Sequence, residues 1–173
     1  MKPQLIVVSK AAGGPERAIL RAGDWRVPCV LGRAGISRFK REGDGATPAG
    51  TLRPRLVLFR SDRLTRPATE LPVRAIRPQD GWCDDPDDRN YNRPVTLPYP
   101  ARHERLWRDD SLYDLLAVLD WNLEPAIGNR GSAIFLHLAR ADGAPTEGCI
   151  AMGRAAMQRL LRCMNGDTRI EIA

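Results

Sequence analysis

The stretch Ile134-Phe135-Leu136-His137-Leu138-Ala139-Arg140-Ala141-Asp142-Gly143-Ala144-Pro145-Thr146-Glu147-Gly148-Cys149-Ile150-Ala151-Met152 decides how this chain is read. Residues 133–138 form an apolar run of strand length, expected to be buried. Alternation in a strand places Ile134, Leu136 and Leu138 on one face and Phe135 with His137 on the other. The Ala141–Pro145 segment is a turn, and Gly148 lets the backbone bend sharply before Cys149. Further on, Ala155, Met157, Leu160, Leu161 and Met164 recur at three- and four-residue spacing. That spacing predicts a helix over 155–164, with Gly166 as a stop. A strand histidine, a short loop and a thiol near a helix entrance admit two readings. In one, His137 is a satisfied core imidazole and Cys149 a small buried hydrophobe. In the other, the thiol is a nucleophile, its pKa lowered by the helix N-terminus and its proton taken by the imidazole. The Gly148 and Cys149 backbone N–H groups would then be donors to an oxyanion.

Outward from this stretch, the pattern is mostly strand-like. Residues 5–8 read as a first strand. Two apolar runs within 18–31, separated by Gly23-Asp24, read as a hairpin. Residues 51–59 carry a proline and are expected at an edge or as a kinked strand. Residues 71–76 and 168–172 are further strands, and 113–119 reads as a strand or a short helix. The polar stretch from Arg77 to Arg105 has little periodicity and is expected to be a long loop, ordered by Trp82, Tyr91 and Tyr99. At 173 residues, without repeats or a composition shift, one domain spanning 1–173 is expected.

Composition narrows the function classes. The 27 basic residues exceed the 21 acidic ones, for a net charge of +6, and all but Lys2, Lys10 and Lys40 are Arg. Those arginines are scattered and form no block of the nucleic-acid-binding kind, so no nucleic-acid partner is expected. No apolar run approaches the ~20 residues of a membrane span, and no signal-peptide core is visible. Cys29, Cys83, Cys149 and Cys163 contain no Cys-x-x-Cys pair, and with only His103 and His137 they offer no zinc-ligand cluster. No metal or organic cofactor is expected.

His137 with Thr146-Glu147-Gly148-Cys149-Ile150 resembles the signature of the L,D-transpeptidase (YkuD-type) catalytic domain family. A second match upstream, Thr47-Pro48-Ala49-Gly50-Thr51, resembles that family's Thr-Pro-x-Gly-Thr segment. The stretch 80–92, with Asp84, Asp85 and the Trp82 and Tyr91 rings, and His103-Glu104-Arg105-Leu106-Trp107 resemble a bacterial branch of it. The resemblance runs from about Gly32 to Met152.

It implies a mainly β, β-sandwich-like single-domain fold with a long loop excursion and one helix after the Cys. It implies a cysteine acyltransferase acting on peptidoglycan stem peptides, with Cys149 as nucleophile, His137 as general base and Gly148 among the oxyanion donors. Thr146 and Arg140 are expected to position substrate, and Trp82 and Tyr91 to line a groove. The acceptor remains open between a second stem, a D-amino acid and water; a non-catalytic basic module binding an anionic wall polymer is the reading from another class. The family places the substrate in the periplasm or cell envelope; without a signal peptide in the chain, the cytoplasm is the alternative. A monomer is expected. Two departures stand out: Ala151 occupies a position where many members carry Arg, and the loop from His137 to Cys149 is short. Arg140 is the candidate replacement cation. His103 with Glu104 reads as an acid/base pair or a structural hydrogen bond, and Asp84 with Asp85 as acceptor-amine contacts or turn formers.

Overall fold

A computed structural model describes residues 4–173. Its main body is a ten-stranded sheet. The first strands, β1 (Leu5–Lys10), β2 (Arg17–Ala22) and β3 (Trp25–Val30), form an antiparallel meander. The turn between β2 and β3 is made by Gly23 with φ +60° and Asp24, as the hairpin reading predicts. Two short strands, β4 (Ile36–Ser37) and β5 (Thr47–Pro48), pair in parallel apart from the main sheet. The proline-bearing stretch breaks at Arg53 into β6 (Gly50–Leu52) and β7 (Pro54–Phe59). The edge expectation holds for β6 and fails for β7, which sits between β8 (Val73–Ala75) and β12 (Leu115–Leu119). Pro54 is tolerated there because it is the first residue of its strand, where the ladder is already irregular.

The remaining strands are β9 (Asp80–Cys83), β10 (Pro94–Thr96), β11 (His103–Arg105), β13 (Phe135–Leu138), β14 (Ile150–Met152) and β15 (Arg169–Ile172); the helix α1 spans Arg154–Cys163. The order across the main sheet is β6-β15-β1-β2-β3-β14-β13-β12-β7-β8. Its inner face gathers Ile6, Leu20, Leu52, Val57, Leu115, Leu136, Ile150 and Ile170 into one cluster with Met157, Leu160 and Leu161 of α1. Strands from both ends of the order meet in that cluster, so the sheet curls around the helix. The expected sandwich is therefore one sheet folded over a helix, which buries the apolar face of each. A leucine removed from water in this way contributes roughly 1.5–3 kcal/mol.

On the outer face, Leu58, Leu116, Val118 and Phe135 form a second core with Ile76, Trp82, Leu106 and Tyr113. The alternation of β12 and β13 creates both cores: Leu115, Ala117 and Leu119 point one way, Leu116 and Val118 the other.

The long excursion from Arg77 to Arg105 is more than a loop. It builds a three-stranded antiparallel sheet, β10-β9-β11, laid on that outer core. Asn92, buried and at φ +56°, fastens it. Its Oδ1 accepts from Trp82 Nε1 and the Ala133 N–H, both at 2.9 Å, and its Nδ2 donates to the carbonyls of Trp121 and Asn122. The small sheet is thus tied to the entrance of β13, the strand carrying His137.

Candidate active site

Strands β13 and β14 are parallel neighbours with Leu136 opposite Ile150 and His137 opposite Ala151. Cys149 stands two residues before Ala151, so pleat alternation puts it on the His137 face, one diagonal step away. Both side chains line a cavity of about 460 Å³, together with His103, Glu104, Tyr113 and Arg140. One wall is β11 of the small sheet and the other is the loop before Cys149.

That loop is held by the upstream motif. Thr146 donates its N–H to Leu31 O at 2.9 Å and receives the Arg33 N–H on its carbonyl at 3.0 Å. Thr146 Oγ1 donates to Cys149 O at 2.7 Å and accepts the Gly148 N–H at 3.1 Å. Thr47, fully buried, accepts the Gly32 N–H on Oγ1 at 2.9 Å and donates to Cys149 O at 3.4 Å. Gly148 has φ +142°, and a Cβ there would meet Ala46 O at 2.8 Å. The two sequence matches, about a hundred residues apart, are two halves of one brace around the Cys149 carbonyl.

Cys149 Sγ donates to Ala133 O at 3.1 Å and accepts the Phe135 N–H at 3.4 Å. Burial pushes its thiol up to about 12, with the Glu104 charge adding to the shift. Burial drives His137 the other way, down to about 4, reinforced by the Arg108 charge. The resting pair is a neutral thiol beside a neutral imidazole. His137 Nδ1 lies 2.8 Å from Leu138 O, and a carbonyl only accepts, so Nδ1 carries the proton and Nε2 keeps the lone pair. The Tyr113 ring meets the imidazole edge-on at 5.4 Å.

The expected residues divide. Cys149, His137, Thr146 and Arg140 all line the cavity. Trp82 and Tyr91 do not: each is 4% exposed. Trp82 packs edge-on against Phe135, and Tyr91 donates its hydroxyl to Glu42. A ring that buries its apolar body and satisfies its polar tip stays in the core. The Gly148 N–H is already taken by Thr146 Oγ1, so Gly148 serves by its conformation; the expected oxyanion donation would require that bond to open. The helix begins at Arg154, one residue before its expected start, but its N-terminus does not reach the thiol. Strand β14 intervenes and Gly153 is the N-cap, so burial governs the thiol in place of the helix dipole.

Asp84 pairs with Arg102, and Asp85 accepts the Asp87 N–H in a turn. His103 and Glu104 do not pair with each other. His103 Nδ1 donates to Ala101 O at 2.8 Å, while Glu104 Oε2 accepts the Tyr113 hydroxyl at 2.6 Å. Ala151 lines the cavity opposite His137, so a longer residue there would fill the space beside the imidazole; Arg140 brings a cation to the same cavity. All four cysteines are free, and the described residues contain no cluster suited to a metal.

A mainly β domain whose central strands bring a cysteine and a histidine into one cavity is the form of the YkuD class. Residues 3–172 match the family model of the L,D-transpeptidase catalytic domain, nearly the whole chain. The chain belongs to that family. No curated protein and no solved structure matches it. The family acts on peptidoglycan, and no helix among the described residues is long and apolar enough to cross a membrane.

Proposed function

We propose that this chain is a cysteine L,D-transpeptidase working on peptidoglycan stem peptides through a thioester. The observation that carries the reading is the parallel β13–β14 register, which sets His137 and Cys149 on one face, both lining one cavity. Cys149 attacks the carbonyl of the third stem residue while His137 Nε2 takes the thiol proton. Transfer of that proton to the departing nitrogen releases the terminal D-Ala and leaves the stem as a thioester on Cys149. An acceptor then resolves the thioester: a stem amine gives a cross-link, and a D-amino acid gives exchange. Burial of both groups means that proton transfer accompanies attack and does not precede it. Arg140, exposed and lining the cavity, binds a substrate carboxylate in this reading. The reading takes a monomer as the working unit, and the substrate sets the work in the periplasm or cell envelope.

The test is intact-mass analysis of the protein after exposure to a tetrapeptide muropeptide or a carbapenem. An adduct mapping to Cys149, lost in Cys149→Ser and slowed in His137→Ala, is the expected result. Absence of any adduct on the wild type overturns the reading. Conversion of tetrapeptide to tripeptide with no dimer or exchange product would replace transpeptidation by L,D-carboxypeptidation. A Cys149→Ala variant that retained all function would point to a binding module.

A further inference from the structure

The cavity contains a carboxylate that the thioester cycle above leaves unused. Glu104, on β11, lines it with Cys149 and His137. Among the described residues no basic side chain lies within ion-pair distance of Glu104, and its one side-chain bond is from Tyr113 Oη. The neighbouring cations are otherwise disposed or stand off. Arg108 grips Asp110 with two bonds, at 2.8 and 2.6 Å. Arg105 and Arg140 are exposed on the rim. Glu147, the other carboxylate on the cavity wall, is 76% exposed on its side chain and paired with Arg33.

Proton accounting gives Glu104 a task. A stem amine is an ammonium at neutral pH, and becoming an amide strips two protons from its nitrogen. His137 has one free lone pair, on Nε2, because Nδ1 is bound to Leu138 O. It can accept one proton. Water as acceptor needs only that one. An ammonium acceptor needs a second base beside the thioester.

We propose that Glu104 is that second base, binding the ammonium of the acyl acceptor and deprotonating it for attack on the Cys149 thioester; this rests on the thioester reading above. The ammonium docks on the Glu104 carboxylate and gives it one proton. The neutral nitrogen attacks the acyl carbon, forming a C–N bond. His137 takes the second proton and returns it to Cys149 Sγ as the C–S bond breaks, and Glu104 releases its proton to solvent. Tyr113 acts as a positioning residue, fixing one carboxylate oxygen and leaving Oε1 for the amine. Burial raises the Glu104 carboxyl above its ordinary range, toward that of an effective base at neutral pH.

The experiment isolates the acyl-enzyme from a tetrapeptide donor and divides its fate between water and an added amine, glycinamide or a tripeptide stem. In Glu104→Gln the ratio of aminolysis to hydrolysis product should fall at least tenfold, while the acyl-enzyme still forms and a thermal melt shows a folded protein. Glu104→Asp should recover part of the ratio, and Tyr113→Phe should lower it less than Glu104→Gln. A ratio unchanged in Glu104→Gln overturns the proposal. So does a wild-type acyl-enzyme that gives no amine product, which leaves the thioester reading standing. Failure to form any acyl-enzyme in the wild type removes that reading instead. A Glu104→Gln defect confined to acylation, abolished when the donor's own side-chain amine is acetylated, would place the ammonium on the donor and overturn the acceptor assignment.

Discussion

The thiol at rest yields the sharpest prediction. Cys149 is buried with its hydrogen on Ala133 O, and its pKa stands at about 12 against an imidazole at about 4. At pH 7.5 an ordinary cysteine with a pKa near 8.5 is roughly one tenth thiolate. A thiol at about 12 is thiolate in only a few parts in 10⁵, on the order of a thousandfold less. Iodoacetamide reacts with the thiolate, so the alkylation rate of the free protein followed from pH 6 to 10, with peptide mapping by mass, reads this fraction. Cys163, partly exposed at the end of α1, provides a reference in the same sample. The Cys149 rate should rise tenfold per pH unit across the whole range with no plateau, and lie about three orders of magnitude below that of an open thiol. Restricted access lowers the rate at every pH but does not create a plateau. A plateau reached below pH 8 would mean a thiolate–imidazolium pair already formed at rest, and would refute the argument that burial dominates. By the same reasoning, acylation should fall on the acid side only as pH drops through about 4.

Stability should follow these groups with opposite signs at the two ends of the pH scale. Between pH 6.5 and 4 the unfolded chain binds a proton at His137 that the folded one refuses, so stability falls with falling pH, by about 3 kcal/mol in all. Between 9 and 12 the unfolded chain releases protons that Cys29 and Cys149 keep, so stability falls with rising pH; urea midpoints at each pH check both, and a flat profile would contradict the buried neutral groups. Gly148→Ala meets the Ala46 carbonyl at a strained φ, at about 1–3 kcal/mol. A melting temperature lower by roughly 3–10 °C is expected, with a larger fractional loss in acylation, and a variant equal to wild type in both would show that the loop relaxes freely. Thr47→Val leaves the Gly32 N–H without its acceptor in a dry site, at about 1–3 kcal/mol, and an unchanged urea midpoint would deny Thr47 its bracing role. Arg140→Ala should raise KM for a carboxylate-bearing donor about fivefold and affect kcat less, with the reverse pattern sinking its assignment to carboxylate binding.

Legibility of the sequence tracked the length and periodicity of each element. The hairpin of β2 and β3 and the helix announce themselves because each spans several periods of its pattern, and the short β13 because it sits in the apolar run 133–138. Strands β9, β10 and β11 do not: three or four residues among Asp, Pro and Asn hold no period, and tertiary docking on Phe135 makes them strands. Strand β14, three residues between Cys149 and the helix, hid for the same reason. The Cys149–His137 pair was legible through motif order. Glu104 was only half legible. The sequence sets it beside His103 as one half of a pair, whereas the strand register that sends Glu104 into the cavity and the partner Tyr113 become visible only once β11 is in place.

The parallel pairing of β13 with β14 has a consequence for how this site can change. Adjacent parallel strands normally need a crossover of a dozen or more residues. Here residues 139–149 are the whole of it, and they end on the nucleophile. The connection is close to the shortest that can return the chain to the same end of the sheet. Deletions within it would force β14 out of register and carry Cys149 away from His137. Insertions around Asp142-Gly143, where the turn is exposed, would only lengthen a rim. Variation in this loop is therefore a one-way street: it can grow a new lid over the cavity without disturbing the chemistry, but it has no slack to lose.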